Sequence, residues 1–182
     1  MLRLRPYITD DAETILSWIT DEKEFYKWTA GVLGQYPITA QQFDEVRNLM
    51  AFTAVDNDDV VGFFTLRRPG TSFDELRFGF VVVDPKLREQ SIGKKMLILG
   101  MKYAKEIYSI KKITLGVFEN NLPAYYCYKA AGFSDVVNYK PVSYRFFNED
   151  WKCLELEYTC SNTEGDEKRE AIGFILNNLV CF

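Results

Sequence analysis

Val81-Val82-Val83-Asp84-Pro85-Lys86-Leu87-Arg88-Glu89-Gln90-Ser91-Ile92-Gly93-Lys94 is the stretch around which the rest of the chain is organised. Three consecutive β-branched residues predict a strand buried on both faces. Asp84-Pro85 stops it, because proline offers no N–H to a ladder. After the basic turn Lys86-Leu87-Arg88, apolar residues recur at Ile92, Met96, Leu99, Tyr103 and Ile107. Steps of three and four trace one face of a helix about four turns long. A strand that passes through a tight turn into a helix leaves the first helical N–H groups without partners. Those donors and the helix dipole favour an anion. Gly93 lets backbone and ligand approach closely, and Arg88 and Lys94 add positive charge. The stretch therefore reads as an anion cradle suited to a pyrophosphate. It is not a Walker loop, since Arg88 stands where that loop's first glycine belongs, and it lacks a Gly-x-Gly-x-x-Gly fingerprint.

The whole chain sets the bounds. Its 182 residues are one domain's worth, and 47% hydrophobic with 15% aromatic content predicts a sizeable core. Lys plus Arg number 22 against 26 for Asp plus Glu, a net charge of −4. A nucleic-acid partner, which needs a basic surface, is therefore not expected. With no histidine anywhere, histidine-based triads, histidine general bases and most zinc sites are excluded, and no metal is expected. Cys127, Cys153, Cys160 and Cys181 form no Cys-x-x-Cys pair. They read as reduced thiols of a cytosolic protein, with no signal peptide or membrane-spanning run expected.

In chain order, residues 2–6 predict a first strand, and Asp10 with Glu13 a capped helix carrying Ala12, Ile15, Leu16 and Ile19 inward. Residues 25–37, with Phe25-Tyr26-Lys27-Trp28, read as a loop whose aromatics serve core and lid packing. Thr39 and Gln42 repeat the capping-box signal ahead of Phe43, Val46 and Met50. Strands over 51–55 and 60–66 flank Asp56-Asn57-Asp58-Asp59, a hairpin signal, and 75–83 is the third strand of the meander. After the central helix, Ile113, Leu115 and Val117 alternate as a strand. Strand, helix, strand is a crossover unit, so 75–83 and this strand should be parallel neighbours. Pro123 and Gly132 bracket a short helix, and 133–138, 144–147 and 151–158 supply a closing hairpin around Asn148-Glu149-Asp150. Residues 1–160 read as one domain, and 161–182 as a polar linker with a short amphipathic helix over Ala171, Ile172, Ile175, Leu176 and Leu179.

The pattern Asn121-x-x-Ala124-x-x-x-Tyr128-x-x-x-Gly132-Phe133, following Arg88-x-x-Ser91-x-Gly93, resembles the GNAT (Gcn5-related) N-acetyltransferase superfamily. The overall cast is most similar to the branch of the ribosomal-protein N-terminal acetyltransferases. The resemblance covers residues 2–158 and implies an α+β fold: a mixed, mostly antiparallel sheet of six or seven strands, flanked by helices and splayed at its two central parallel strands. Acetyl-CoA would lie in that wedge. By position, Val81, Val82 and Val83 would pair with the pantetheine arm, while Arg88, Glu89, Gln90, Ser91, Ile92, Gly93 and Lys94 would hold the pyrophosphate. Asn121 and Ala124 match further cofactor contacts, and Tyr128 matches the tyrosine that protonates the departing thiolate. A phenol with a pKa near 10 can do so while an amine attacks the thioester.

Two positions depart from the family pattern. Ser91 stands where the phosphate loop usually has its first glycine; it keeps the N–H donor but requires an ordinary backbone conformation. Gly116 stands where some peptide-acetylating members carry a basic glutamate. The general base is then sought in Glu75 first and Glu119 second, with a water chain able to do the same work. Cys127 reads as packing, because nothing nearby activates a thiolate. The implied reaction is acetyl transfer from acetyl-CoA to a primary amine by direct attack in a ternary complex, in a monomer or homodimer. The acceptor is a small-molecule amine or a protein N-terminal or lysine amine, and Asp21, Glu22, Glu24, Glu149 and Asp150 could give its site an acidic lining. The alternative is a non-catalytic acyl-CoA-binding module on the same fold.

Overall fold

The computed structural model describes residues 1–160, so the expected linker and tail helix over 161–182 lie outside the described residues. A single mixed sheet runs in the order β1-β2-β3-β4-β5-β8-β6, with β7 also paired to β8. Its strands are β1 (Arg3–Pro6), β2 (Met50–Asp56), β3 (Asp59–Arg67), β4 (Glu75–Val83), β5 (Lys112–Phe118), β6 (Ser134–Asp135), β7 (Val142–Phe146) and β8 (Glu149–Thr159). All pairs are antiparallel except β4 with β5, as the crossover through helix α4 (Ile92–Tyr108) requires. The β2–β3 turn places Asn57 and Asp58 at φ +48° and +72°, the left-handed pair that a two-residue hairpin uses.

Helices cover both faces. Helix α4 and helix α5 (Leu122–Ala131) bury one face of the sheet around Phe64, Leu76, Phe78 and Leu115. The other face, around Phe63 and Val82, is covered by α1 (Ala12–Ser17), α2 (Glu22–Thr29) and α3 (Ala40–Phe43). The buried stripe of α4 is Ile92, Met96, Leu97, Gly100, Met101 and Ala104. It is rotated from the face expected of the large apolar residues, and Ile107 is 62% exposed. The reason is proximity: a Cβ on Gly100 would come within 2.8–2.9 Å of the Phe78 and Phe64 rings, so small residues face the sheet.

Two local expectations are corrected. The first helix is entered through a short 3₁₀ turn, and its organising acid is Asp11, not Asp10. The Asp11 carboxylate, 3% exposed, accepts from Arg5 (2.6 and 2.7 Å), Thr53 (2.7 Å) and the Ile8 N–H (3.2 Å). Burial pushes this carboxyl up, and those hydrogen bonds outweigh it to hold it below the usual range. Residues 25–29, expected as part of a loop, belong to helix α2, which is capped by the Asp21 side chain on the Glu24 N–H at 2.9 Å. Among the described residues no helix is long and apolar enough to cross a membrane.

Candidate active site

The β4–β5 ladder is short. Glu75, Leu76 and Arg77 pair with Lys112, Ile113 and Thr114, and beyond them the two strands diverge. The gap is a cleft of about 910 Å³ walled by residues 78–83 of β4, Leu115, Gly116 and Val117 of β5, the loop into α4, and the first turns of α5. On β4 the wall carries a bulge: Phe63 faces Val82 and Thr65 faces Gly79, one residue more on β4 than on β3. Phe80 takes up the extra length at φ +47°. Such a conformation costs a non-glycine residue about 1–3 kcal/mol, and it sets Phe80 and Val81 outside the regular β3 ladder, beside the cleft.

The cradle forms at the foot of β4. Asp84 accepts from the Lys86 N–H at 2.9 Å, and a 3₁₀ turn over Pro85–Leu87 leads into a loop with Glu89 at φ +65° and Ser91 at φ +61°. Helix α4 starts at Ile92 with no side-chain cap from Ser91, leaving its first N–H groups for an anion. Arg88, Glu89, Ser91, Ile92, Gly93 and Lys94 all line the cleft, as do Val81, Val82, Val83, Asn121 and Ala124. Gln90 does not; it is exposed, its amide 3.4 Å from the Lys86 carbonyl.

Two expectations about this loop are revised. Ser91 is left-handed, not ordinary, so it meets the loop's glycine-like demand under strain. Ser91→Gly is expected to raise stability by up to about 1 kcal/mol, the cost of holding an L-residue there, without weakening acetyl-CoA binding; thermal melting and calorimetry check both. Gly93 makes room first for α5: a Cβ there would lie 3.0 Å from Cys127 Sγ and 3.5 Å from Val83 Cγ2. Gly93→Val is therefore expected to push α5 from α4 and lower stability and cofactor affinity together.

Asn121 caps α5, its side-chain oxygen accepting from the Ala124 N–H at 3.4 Å. One helical span further, Tyr128 is 7% exposed, packs against Phe133 and lines the cleft. Burial, with a smaller contribution from Cys127, pushes its phenol well above the ordinary value, so the hydroxyl keeps its proton throughout the neutral range. Burial likewise pushes the Cys127 thiol up, as expected of a packing residue.

Neither expected base reaches the cleft. Glu75 sits at the closed end of the wedge, 3.1 Å from Lys112 Nζ and accepting from Thr114 Oγ1 at 3.0 Å. Glu119, beyond the outer end of β5, lies 4.0 Å from Lys152 Nζ. The space over Gly116 belongs to Arg77, whose guanidinium pairs with Glu155 across β5; a Cβ on Gly116 would meet Arg77 Nη2 at 2.8 Å. Of the acidic residues expected near the acceptor only Glu24 lines the cleft, with Ile19, Lys27 and Trp28 beside it. Lys27 and Trp28 belong to residues 25–37, where acceptor specificity is expected, but they stand on a helix and not on a loop; the spacing Asp21-x-x-Glu24 was available as its start signal.

The sheet is thus opened between its parallel strands, with a helix N-terminus at one end of the gap and a buried tyrosine in its wall, the arrangement that the GNAT resemblance implies. The sequence profile of the acetyltransferase (GNAT) family matches residues 13–133, and the chain belongs to that family. Among curated relatives it is similar to spermine/spermidine N(1)-acetyltransferase of Bacillus subtilis (strain 168), at 37% identity over 51 residues, 28% of this chain. The matched stretch spans about a third (34%) of that relative's length. The fold is that of the GNAT-family acetyltransferase from Bacillus anthracis (TM-score 0.71, 17% identity, 87% of this chain and 94% of that one). It is equally that of spermidine N-acetyltransferase from Vibrio cholerae in complex with CoA and spermine (TM-score 0.70, 16% identity, 87% and 95%). Ribosomal-protein-alanine N-acetyltransferase from Brucella melitensis shares it too (TM-score 0.67, 17% identity, 87% and 99%). Identities this low speak for the fold alone.

Proposed function

We propose that the protein transfers acetyl from acetyl-CoA to a primary amine by direct attack in a ternary complex. The observation that carries this reading is the divergence of β4 and β5 beyond Arg77 and Thr114, into one cleft that holds the α4 N-terminus, Asn121 and Tyr128. The first N–H groups of α4, with Arg88 and Lys94, suit the pyrophosphate, and the strand edge of residues 81–83 suits the pantetheine amides. The amine nitrogen forms the new C–N bond as the C–S bond breaks, and the Tyr128 hydroxyl gives its proton to the thiolate. With Glu75 and Glu119 outside the cleft, water takes the proton that the amine sheds. The name of the Bacillus subtilis relative favours a polyamine acceptor.

Incubation with acetyl-CoA and a panel of amines, read as CoA thiol release, tests the reading. The panel includes spermidine, spermine, a lysine peptide and a peptide with N-terminal alanine. Release with at least one amine is expected. Acetyl-CoA binding in calorimetry without release would replace the enzyme by an acyl-CoA-binding module.

A further inference from the structure

At the closed end of the wedge, away from the cleft, Phe73 is 77% exposed and Ile107 62%. Single exposed apolar residues are ordinary, but these two are joined through other rings. Ile107 stands one helical turn beyond Tyr103 on α4, so the two share a face, and the Tyr103 and Tyr108 ring centres are 6.0 Å apart. The Arg68 guanidinium lies 5.3 Å from the Phe73 ring centre and 5.6 Å from that of Tyr108. Arg68 Nη1 also donates to the Phe73 carbonyl at 2.6 Å. An apolar patch thus runs from the end of α4 to the turn before β4.

The chain leaves the described residues beside this patch. The Cys160 N–H donates to the Lys111 carbonyl at 2.8 Å, and the Lys111 N–H donates to the carbonyl of Asp74, next to Phe73, at 2.8 Å. Cys160 and Asp74 therefore flank Lys111, about 10 Å apart at the ordinary strand spacing. Residues 161–170 can span up to about 33 Å, ample for residues 171–179 to reach the patch. Ile172, Ile175, Leu176 and Leu179 recur there at steps of three, one and three, the spacing of one helical stripe. Charge matches as well. Residues 161–170 carry Glu164, Asp166, Glu167 and Glu170 against Lys168 and Arg169. The ends of β3, β4 and β5 beside the patch carry Arg67, Arg68, Lys111 and Lys112 against Asp74 and Glu75.

We infer that residues 171–179 lay this stripe on the patch of Phe73, Tyr108 and Ile107 in the same chain. A helix this short is not stable alone in water, so the patch supplies the burial that its apolar stripe needs. A tether of ten residues holds the segment at an effective concentration of about millimolar, which favours its own domain over a second copy. The inference goes beyond the acetyl transfer proposed above and stands apart from it.

Hydrogen exchange of the full chain, read by mass spectrometry, tests this. In the wild type the amides of 171–179 should exchange about tenfold or more slower than in a variant with Phe73→Asp and Ile107→Asp, while the β2–β3 amides keep one rate in both. Phe73→Leu with Ile107→Leu should keep the protection. Leu176→Asp, which alters no residue of the sheet or its covering helices, should lose it to the same extent, so the test stands even where the patch variant does not fold. Unprotected 171–179 amides in the wild type overturn the docking. So does protection that survives Leu176→Asp or, with the β2–β3 amides still protected, the two patch substitutions. Protection that rises with protein concentration, together with a dimer in sedimentation, overturns docking within one chain in favour of a second copy.

Discussion

Tyr128→Phe is expected to lower the turnover number by about 10²–10⁴-fold while the KM for acetyl-CoA stays nearly unchanged, the ordinary size of a general-acid contribution. The substitution keeps the ring, its 7% exposure and its packing on Phe133, and removes only the hydroxyl. An interaction made only as the thiolate departs contributes to kcat and leaves ground-state binding untouched. CoA should still bind, because the proposed contacts to its phosphates and pantetheine come from the α4 N-terminus and β4, not from Tyr128. The pH profile adds a second expectation. Burial raises the Tyr128 pKa above the unfolded value of 10, so the acid-competent form outlasts an ordinary phenol. Activity should therefore not fall near pH 10 through this group. The same shift makes its contribution to stability full below pH 10 and lost as pH rises above it, because the unfolded chain releases the proton first. Wild-type turnover in the variant would return Tyr128 to packing; joint loss of activity and CoA affinity would assign the hydroxyl to binding.

Arg77→Met is expected to cost about 2–4 kcal/mol of stability, read as a lower urea midpoint, since removing one partner of a buried ion pair leaves the other charge uncompensated. The side chains of Arg77 and Glu155 are 21% and 15% exposed, so water relieves some of the penalty of full burial. The guanidinium makes a two-pronged contact with Glu155 and reaches Thr114 Oγ1 at 3.4 Å. Burial pulls its pKa down, but the Glu155 hydrogen bond more than restores it, leaving it above its usual value. The pair ties β4 to β8 across β5 where the β4–β5 ladder ends. A double variant, Arg77→Met with Glu155→Leu, should lose less than the sum of the two single changes, because neither charge is then left alone. A loss below about 0.5 kcal/mol in Arg77→Met would class the pair with exposed surface bridges.

The reading from sequence succeeded where the cause is local. Thr39 and Gln42 form the capping box their spacing announced, with the Gln42 N–H on Thr39 Oγ1 at 3.2 Å. The Asp56–Asp59 turn joins β2 to β3, and Asn121 and Gly132 begin and end α5 as their residue types require. The strand–turn–helix of residues 81–94 and the parallel crossover were legible on the same grounds, and most of the residues that the resemblance points to for the cofactor line the cleft. Helix α2 was harder, because its eight residues carry only Phe25, Tyr26 and Trp28 as apolar side chains, too few to display a period.

What the sequence by itself determined was most of the elements, their order, the strand–turn–helix of residues 81–94 and the family pattern, because each depends on neighbours a few residues away. The tertiary structure alone decided which side chains share the cleft. Glu75 and Phe80 lie on one strand, yet the ladder closes beside Glu75 and has opened by Phe80, so the first is held by Lys112 and Thr114 while the second lines the wedge. Residues remote in sequence, Arg77 with Glu155 and Tyr26 with Phe146, meet only because the sheet splays and α2 bridges the opening. Such contacts depend on where a ladder stops and how a helix crosses a gap, and both follow from packing summed over the whole domain, which no short spacing of residue types records.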